Sequence, residues 1–350
     1  MGSRTFEVWR RDAVLARPVS AAGQRHERRP RLLARVATAA GEGFGEVGVQ
    51  PEPLNGDPGV DEVLAAWRTE VSERLGAVIA REGGLPAWSR VAQLAGPRPA
   101  SRVAWALAEA ALLDLELRSS GLARPAGWRD GGPVPALATV SLLDPPPAGG
   151  VGGARIRAKV RPGQWREDTV AWLADRGVEV LLDYNASGAS VEEVLADEGA
   201  LWDRLPVVAV EQPFAVGDLA RLSALAARTG VALSVDEGVR SLHDVRLIAG
   251  HHAARLVCVK PSRVGGLAVA RELCRRAAAL GLRPYVGGFF ESPLGRAALR
   301  MLAADAVHEP SDVAAVEVAG DTPVVPTDGG LGYRVADAVR AGPCVASARW

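Results

Sequence analysis

From about residue 134 onward, short and nearly uncharged apolar segments alternate with amphipathic helical stretches. Continuous apolar strands separated by helices are typical of a parallel sheet, because crossover helices bury both of its faces. Eight such segments within about 185 residues favour a closed α/β barrel over an open sheet. The predicted strands are 136–143, 154–160, 178–185, 207–213, 231–237, 254–262, 283–290 and 313–320.

The first 50 residues follow another pattern, in which short apolar runs alternate with polar turns and predict a small antiparallel sheet. Within it, the Arg-rich stretch 20–31 is predicted to be a mobile loop, with a solvated hairpin tip as the alternative. Helical periodicity follows at residues 61–82 and 101–118. The Gly- and Pro-rich tail, residues 321–350, is expected to return to this smaller domain.

The composition excludes several classes of protein. The 41 basic and 41 acidic residues cancel, which indicates neither a nucleic-acid surface nor a basic membrane footprint. No run approaches the roughly 18 uncharged apolar residues of a membrane helix, and no signal-peptide core precedes the first charges. Three scattered cysteines indicate reduced thiols instead of a disulfide framework. We expect a cytoplasmic protein, with a monomer preferred over an oligomer.

Lysine is almost absent from the chain. Of its 41 basic residues, 39 are arginines, and the two lysines are Lys159 and Lys260. Arginine does not give up its proton at any useful pH, whereas a lysine can be tuned to act as a base. The two lysines are therefore candidates for positions at which arginine would fail.

Charged residues end five successive predicted strands. They are Lys159, Asp183, Glu211, Asp236 and Lys260, separated by 24, 28, 25 and 24 residues, and each step is about one strand–helix unit. Because the C-terminal ends of barrel strands face one mouth, these side chains are expected to converge. Three converging carboxylates would raise one another's pKa unless a cation neutralised them, and Mg²⁺ prefers such oxygen ligands. Salt bridges with nearby arginines are the alternative, and the repetition over three strands argues against it.

This arrangement suits the removal of a proton next to a carboxylate. Mg²⁺ would stabilise the second negative charge that develops on the carboxylate oxygens. Lys159 is the candidate base, because Mg²⁺ and Arg157, two residues away on the same strand face, would depress its pKa. Lys260 would face it across the barrel, either as a second acid/base or as a fixed cation. Further candidates for substrate binding or support of the site are Asn185, Glu237, Ser262, Gly287, Gly288 and Glu291.

Five short motifs resemble those of the enolase superfamily, in particular its muconate-lactonising subgroup. They are RAKV (157–160), LDYN (182–185), EQP (211–213), DE (236–237) and KPS (260–262). The resemblance implies a (β/α)7β TIM-like barrel over residues 96–320 and an α+β capping domain over residues 1–95, joined by the tail. It also implies that Lys159 is the base, that Asp183, Glu211 and Asp236 bind Mg²⁺, and that Lys260 lies on the opposite face. Arg157 replaces the first lysine of the family's lysine-x-lysine motif and keeps its charge.

Within this subgroup, the chain resembles the o-succinylbenzoate synthases in its short length, its compact 20–31 loop and the segment GGFFESPLGRAAL (287–299). That resemblance implies a Mg²⁺-dependent lyase of menaquinone biosynthesis acting on a small carboxylate substrate. An isomerase of the same subgroup remains open, such as an N-acylamino-acid racemase, a dipeptide epimerase or a muconate cycloisomerase. A non-catalytic binding barrel is the third alternative.

Overall fold

The N-terminal residues form an antiparallel sheet in the computed structural model, which describes residues 4–320 and 322–350. Its first strands are β1 (Thr5–Ala21), β2 (Gln24–Thr38) and β3 (Gly41–Gly48). β1 and β2 pair as a long hairpin that turns at Ala22 and Gly23, which both have positive φ. The mobile loop predicted over residues 20–31 is therefore wrong, because most of that stretch belongs to β2, and the hairpin tip given as the alternative is the arrangement observed. A hydrophobicity pattern could not reveal this strand, since its inward-facing side chains include arginine and histidine.

The N-terminal helices lie close to their predicted positions. α1 (Val60–Ala66) and α2 (Ser72–Glu82) are joined by a π-helical turn, and α3 spans Pro99–Ser120. α3 packs directly on β3, because Gly43 and Gly45 present no side chain to it. A Cβ atom at Gly45 would lie within 3.0 Å of the backbone of α3. The domain boundary between residues 95 and 96 stays a prediction, and α3 connects the sheet to the elements that follow.

Seven parallel strands form the central sheet, and they are ordered in space as they are along the chain. The strands are β4 (Leu137–Ser141), β5 (Arg155–Lys159), β6 (Val180–Asp183), β7 (Val207–Glu211), β8 (Ala232–Val235), β9 (Leu256–Val259) and β10 (Arg283–Val286). The helices are α4 (Glu167–Ala174), α5 (Val191–Ala200), α6 (Leu219–Ala226), α7 (Leu242–Gly250), α8 (Pro261–Val264), α9 (Leu267–Ala279) and α10 (Pro293–Ala306). The predicted α/β barrel architecture is confirmed.

The eighth strand, predicted at residues 313–320, is wrong in position. Ser311 makes a parallel bridge to Ala136 beside β4, and the Asp312 amide donates to the carbonyl of Val286 in β10. These two residues connect the first and last strands of the sheet. Farther along, β11 (Val318–Ala319) pairs with β1 of the N-terminal sheet. An apolar run that crosses from one domain to the other has the same composition as a buried strand, which explains the error.

The tail returns to the N-terminal sheet. It contains β12 (Val324–Pro326), β13 (Tyr333–Val335), α11 (Asp337–Arg340) and β14 (Ala346–Arg349). β14 pairs antiparallel with β1, and the Trp350 ring lies edge-on to Phe6 with the ring centroids 6.5 Å apart. Residues 5–8 and 346–349 thus lie in one sheet.

The barrel interior contains an apolar layer beneath its mouth. Side chains of five strands form it, namely Leu137, Leu181, Ala209, Leu256, Cys258 and Tyr285. The charged residues that end the same strands therefore lie above a layer that water does not reach. No helix within residues 4–320 and 322–350 combines the length and the hydropathy of a bilayer span.

Candidate active site

The strand register brings the predicted charged residues to one level. Lys159 is the register partner of Asp183, and Asp183 is the partner of Glu211. Asp236 directly follows β8, and Lys260 directly follows β9. All five side chains lie at the C-terminal ends of neighbouring strands, as the spacing predicted.

Lys159 lies at the edge of this group and lines the cavity above it. Its Nζ donates to Asp183 Oδ2 at 2.7 Å and to Asn185 Oδ1 at 3.0 Å. Asn185 in turn donates its backbone N–H to Asp183 Oδ1 at 2.9 Å. Asn185 has a φ of +47°, which turns the chain sharply after β6 and places its amide against both partners. Asn185 thus fixes the relative positions of Lys159 and Asp183.

Lys260 is the buried counterpart of Lys159. Its Nζ donates to Asp236 Oδ2 at 2.7 Å and lies 4.4 Å from the centroid of the Phe289 ring. A Cβ atom at Gly287 would lie 2.9 Å from Cγ and Cε of Lys260, so the missing side chain makes room for the lysine. Burial by itself lowers the pKa of Lys260, but the neighbouring Asp236 carboxylate outweighs it and raises the pKa.

Glu211 is fully buried between the two lysines. Arg157 Nε lies 3.3 Å from Glu211 Oε2, and the Tyr285 hydroxyl donates to the same oxygen. Within the described residues, the other oxygen, Oε1, has no hydrogen-bond partner. Burial raises the pKa of Glu211 to about 8, where Arg157 opposes the shift and the Asp183 and Asp236 carboxylates add to it. A cation that contacted Oε1 would remove this penalty.

The donor set fits Mg²⁺. Asp183, Glu211 and Asp236 supply the carboxylate oxygens that this ion prefers, and the Oε1 atom of Glu211 is buried and unpartnered. A tighter group, with ligand atoms within 4.8 Å of one another, combines Glu211 and Asp236 with Cys258. Cys258 is a poorer ligand, because sulfur is too soft for Mg²⁺ and burial raises the pKa of its thiol well above the ordinary value. The three carboxylates are therefore the better set.

Arg263 is a site residue that the sequence analysis missed. Its Nη1 donates to Asp236 Oδ1 at 2.7 Å, while Nε and Nη2 form a fork on the Asp57 carboxylate at 2.8 and 2.7 Å. Burial raises the pKa of Asp236, but Lys260 and Arg263 together lower it well below the usual range. The available signal was the sequence KPSR, which places Arg263 one helical turn after Lys260.

Asp57 and Asn55 bring the N-terminal domain into contact with the same group of charges. Asp57 is 206 residues away from Arg263 along the chain. Asn55 Nδ2 donates to Glu237 Oε1 and to the Asn185 carbonyl, both at 3.3 Å. Glu237 is buried, and its Oε2 has no partner within the described residues. The segment before α1 therefore completes the site from the other domain, and no local sequence signal reveals it.

The remaining predicted residues also lie near the barrel mouth, with different surroundings. Gly288 lines the cavity, and a Cβ atom there would meet Glu291 Oε2 at 2.6 Å. Glu291 accepts a hydrogen bond from the Phe289 amide at 2.7 Å and lies 3.5 Å from Arg296. Ser262 is buried in α8. Glu291 and Ser262 lie outside the cavity lining.

A cavity of about 550 Å³ opens above these residues. Lys159, Lys260 and Glu237 line it from the barrel, while His26 and Arg29 of β2 line it from the N-terminal sheet. Burial, followed by the positive charges of Arg29 and Lys159, lowers the pKa of His26 to about 4. The cavity is large enough for a small organic ligand, and the basic groups around it suit an anionic one.

The comparisons with known proteins agree with this geometry. The family described as "Enolase C-terminal domain-like" matches residues 150–339. An N-succinylamino acid racemase from Amycolatopsis is 32% identical over 76% of this chain and 73% of its own length. An o-succinylbenzoate synthase from Geobacillus stearothermophilus is 28% identical over 53% of this chain and 52% of its own. The structure of a dipeptide epimerase from Enterococcus faecalis, complexed with Mg and L-Leu-L-Tyr, aligns with a TM-score of 0.73, at 18% identity over 95% of this chain and 99% of that one.

Proposed function

The chain belongs to the enolase superfamily, and on that premise we propose that it is an o-succinylbenzoate synthase. The reaction removes water from 2-succinyl-6-hydroxy-2,4-cyclohexadiene-1-carboxylate and yields an aromatic ring. One observation carries the proposal: two lysines border one cavity on either side of three carboxylates at neighbouring strand ends. The similarity to o-succinylbenzoate synthases from several bacteria supports it further.

Asp183, Glu211 and Asp236 are the residues that would hold Mg²⁺. When bound, the ion would supply positive charge to the substrate carboxylate as its α-proton leaves. Lys159 Nζ, in its neutral form, accepts that proton from the α-carbon. The electrons of the C–H bond move into the substrate carboxylate, and they then return to form the new ring double bond as the β-C–O bond breaks. The hydroxyl leaves as water after taking a proton from the Lys159 ammonium, so atoms and charge balance.

Lys260 has a different task in this reaction. The ion pair with Asp236 and the contact with Phe289 hold its ammonium in one place. A fixed cation beside the cavity stabilises the electron-rich ring as it becomes aromatic. Gly287 keeps that place free for the lysine side chain.

N-succinylamino acid racemisation is the second candidate, and a specific observation favours it. The Amycolatopsis racemase is similar over 284 residues, a longer span than the 200 residues of the synthase match. Racemisation needs a base on one face of the α-carbon and an acid on the other, so Lys159 and Lys260 would alternate in these roles. We also propose a cytoplasmic location and a role in menaquinone biosynthesis, both of which follow from the synthase assignment.

Steady-state turnover of the cyclohexadiene substrate tests the proposal. We expect rapid formation of o-succinylbenzoate with Mg²⁺, its loss with EDTA, and its loss in Lys159→Arg, because arginine cannot serve as a base at neutral pH. Arg276→Lys on the exposed face of α9 is the matched control and should keep full activity. A folded wild-type protein that binds Mg²⁺ but forms no product would contradict the synthase assignment.

Substitution of Lys260 distinguishes the two candidate reactions. Lys260→Arg keeps the charge but removes a group that can exchange protons, so racemisation of an N-succinylamino acid should cease while some synthase activity remains. Exchange of the α-proton for deuterium in D₂O shows which lysine still removes that proton. Racemisation that survives in Lys260→Arg would exclude the two-base mechanism. Absence of both activities and of Mg²⁺ binding would favour a binding barrel.

A further inference from the structure

Arg29 differs from every other buried arginine among the described residues. Five buried arginines lie within 4.0 Å of a carboxylate oxygen: Arg31, Arg155, Arg157, Arg263 and Arg296. Arg29 is only 6% exposed and makes no such ion pair with any residue in 4–320 or 322–350. Its Nη1 donates to the neutral Gln50 Oε1 at 2.6 Å, and its buried Nε has no partner.

A buried guanidinium without a counterion is costly. Removing such a charge from water costs several kcal/mol unless an anion offsets it. Burial lowers the pKa of Arg29 to about 10, although the distant Glu291 and Asp57 carboxylates oppose the shift. The fold therefore holds a cation whose partner is not supplied by the described protein.

The position of Arg29 indicates where that partner comes from. Arg29 lies on β2 and lines the cavity from the N-terminal sheet, whereas the two lysines border it at the barrel strand ends. Its guanidinium lies over the Phe290 ring, 4.7 Å from the centroid, and Gln50 holds one edge. Two neutral contacts thus fix its orientation and leave its charge uncompensated at the wall that the N-terminal sheet contributes to the cavity.

We propose that Arg29 binds a second carboxylate of the substrate, remote from the carboxylate that loses its α-proton. The inference rests on the proposed function and names its substrate class: dianions with a succinyl arm. The substrates of both candidate reactions carry such an arm, with a carboxylate at its end. A guanidinium matches a carboxylate with two parallel hydrogen bonds, so Arg29 selects the dianion over a ligand with a neutral arm.

Paired ligands and paired variants test this inference. The ligands are o-succinylbenzoate and its distal amide, which has the same shape and one charge less. The variants are Arg29→Met and Arg28→Met, because Arg28 is the exposed neighbour on the same strand and lies outside the cavity lining. Binding is measured by titration calorimetry with Mg²⁺ present, and turnover of the cyclohexadiene substrate is measured separately. Arg29→Lys shows whether a point charge suffices, and thermal melts establish that each variant folds.

We expect the wild type and Arg28→Met to bind the acid about 30-fold more tightly than the amide, the size of effect found for hydrogen bonds to charged groups. In Arg29→Met the two ligands should bind alike, with KM raised and kcat nearly unchanged. If Arg29→Met prefers the acid over the amide as strongly as the wild type does, the inference is overturned. The proposed function would stand in that case if turnover persists. If the wild type shows neither turnover nor binding of the acid, both proposals fail. Binding of the acid without turnover, lost in Arg29→Met, would support the subsite and contradict only the synthase assignment.

Discussion

At the scale of single residues, Tyr285 connects the candidate metal ligands to the barrel interior. Its hydroxyl donates to Glu211 Oε2 and lies 2.9 Å from Ser234 Oγ. Tyr285→Phe removes one of the groups that orient this carboxylate. We expect Mg²⁺ affinity to fall about 10- to 100-fold, as happens when partners of metal ligands are removed.

Calorimetric titration with Mg²⁺ checks the Tyr285 expectation without any substrate. Tyr333→Phe is the control, because Tyr333 lies in β13 of the tail and not at the barrel mouth. Unchanged Mg²⁺ affinity in Tyr285→Phe would mean that Glu211 is held by Arg157 alone.

The difference between predicted and missed residues has a physical origin. Lys159, Asp183, Glu211, Asp236 and Lys260 could be predicted, because each ends a strand and their spacing follows the strand–helix unit. Contacts between distant segments leave no such periodic trace, so the buried pairing of residues 57 and 263 and the lone guanidinium at residue 29 became visible only in the fold.

At the scale of elements, the packing of β3 against α3 depends on glycine. A Cβ atom at Gly45 would lie within 3.0 Å of the backbone of Ala110 and Ala111, which cannot move without shifting the helix. We expect Gly45→Ala to lower the free energy of unfolding by about 1–3 kcal/mol, the usual cost of overpacking. Gly199→Ala is the control, because Gly199 lies in α5 with open space around it, and should be stabilising by about 0.5–1 kcal/mol.

Urea denaturation of both glycine variants gives the comparison. The two substitutions add the same methyl group, to a crowded strand position in one case and to an open helix position in the other. Similar unfolding free energies for the two variants would show that α3 can move away from the sheet at little cost.

Glu109 couples α3 to the first turn of α9 and should make stability depend on pH. Its buried carboxylate accepts hydrogen bonds from the amides of Leu267 and Ala268. Burial raises the pKa of Glu109 from 4.5 to about 8, against these hydrogen bonds. Because the folded state holds the proton more tightly, this contribution to stability is present below pH 4.5. It is lost as the pH rises through about 8.

Glu109→Gln removes this titration while keeping an oxygen acceptor. We expect the melting temperature of the variant, relative to wild type, to increase steadily between pH 5 and 8. Glu116→Gln, at an exposed position on the same helix, should follow the wild type across that range. A difference between Glu109→Gln and wild type that does not change with pH would contradict the expectation.

Element prediction failed for two segments that line the cavity. The 20–31 stretch and the 313–320 run both contribute residues to the cavity lining, and both belong in part to the N-terminal sheet. The first is a strand with buried arginine and histidine, and the second leaves the barrel after residue 312. Periodicity describes the burial of one face against one core, so it does not describe segments that border two domains and a cavity.

At the scale of the whole molecule, few large apolar side chains are exposed. Among the described residues they are Leu122, Val216, Leu247 and Leu280. Stable obligate dimers bury extensive apolar surfaces, and on that ground we predict a monomer. Sedimentation equilibrium should give one species of 36.6 kDa. A mass twice as large that persists on dilution would contradict it.

Mg²⁺ should stabilise the folded chain as a whole, because the three carboxylates converge only when the barrel is formed. A ligand that binds only the folded state stabilises it by about 1.4 kcal/mol for each tenfold rise in concentration above its Kd. We expect the melting temperature of the wild type to rise with Mg²⁺ and to return to its starting value with EDTA. Glu211→Gln removes the buried carboxylate whose Oε1 lacks a partner, and should need much more Mg²⁺ for the same rise. Glu192→Gln, on the exposed face of α5, should respond as the wild type does. An equal rise in melting temperature in all three proteins would mean that Mg²⁺ binds elsewhere on the surface and that the three carboxylates do not bind it.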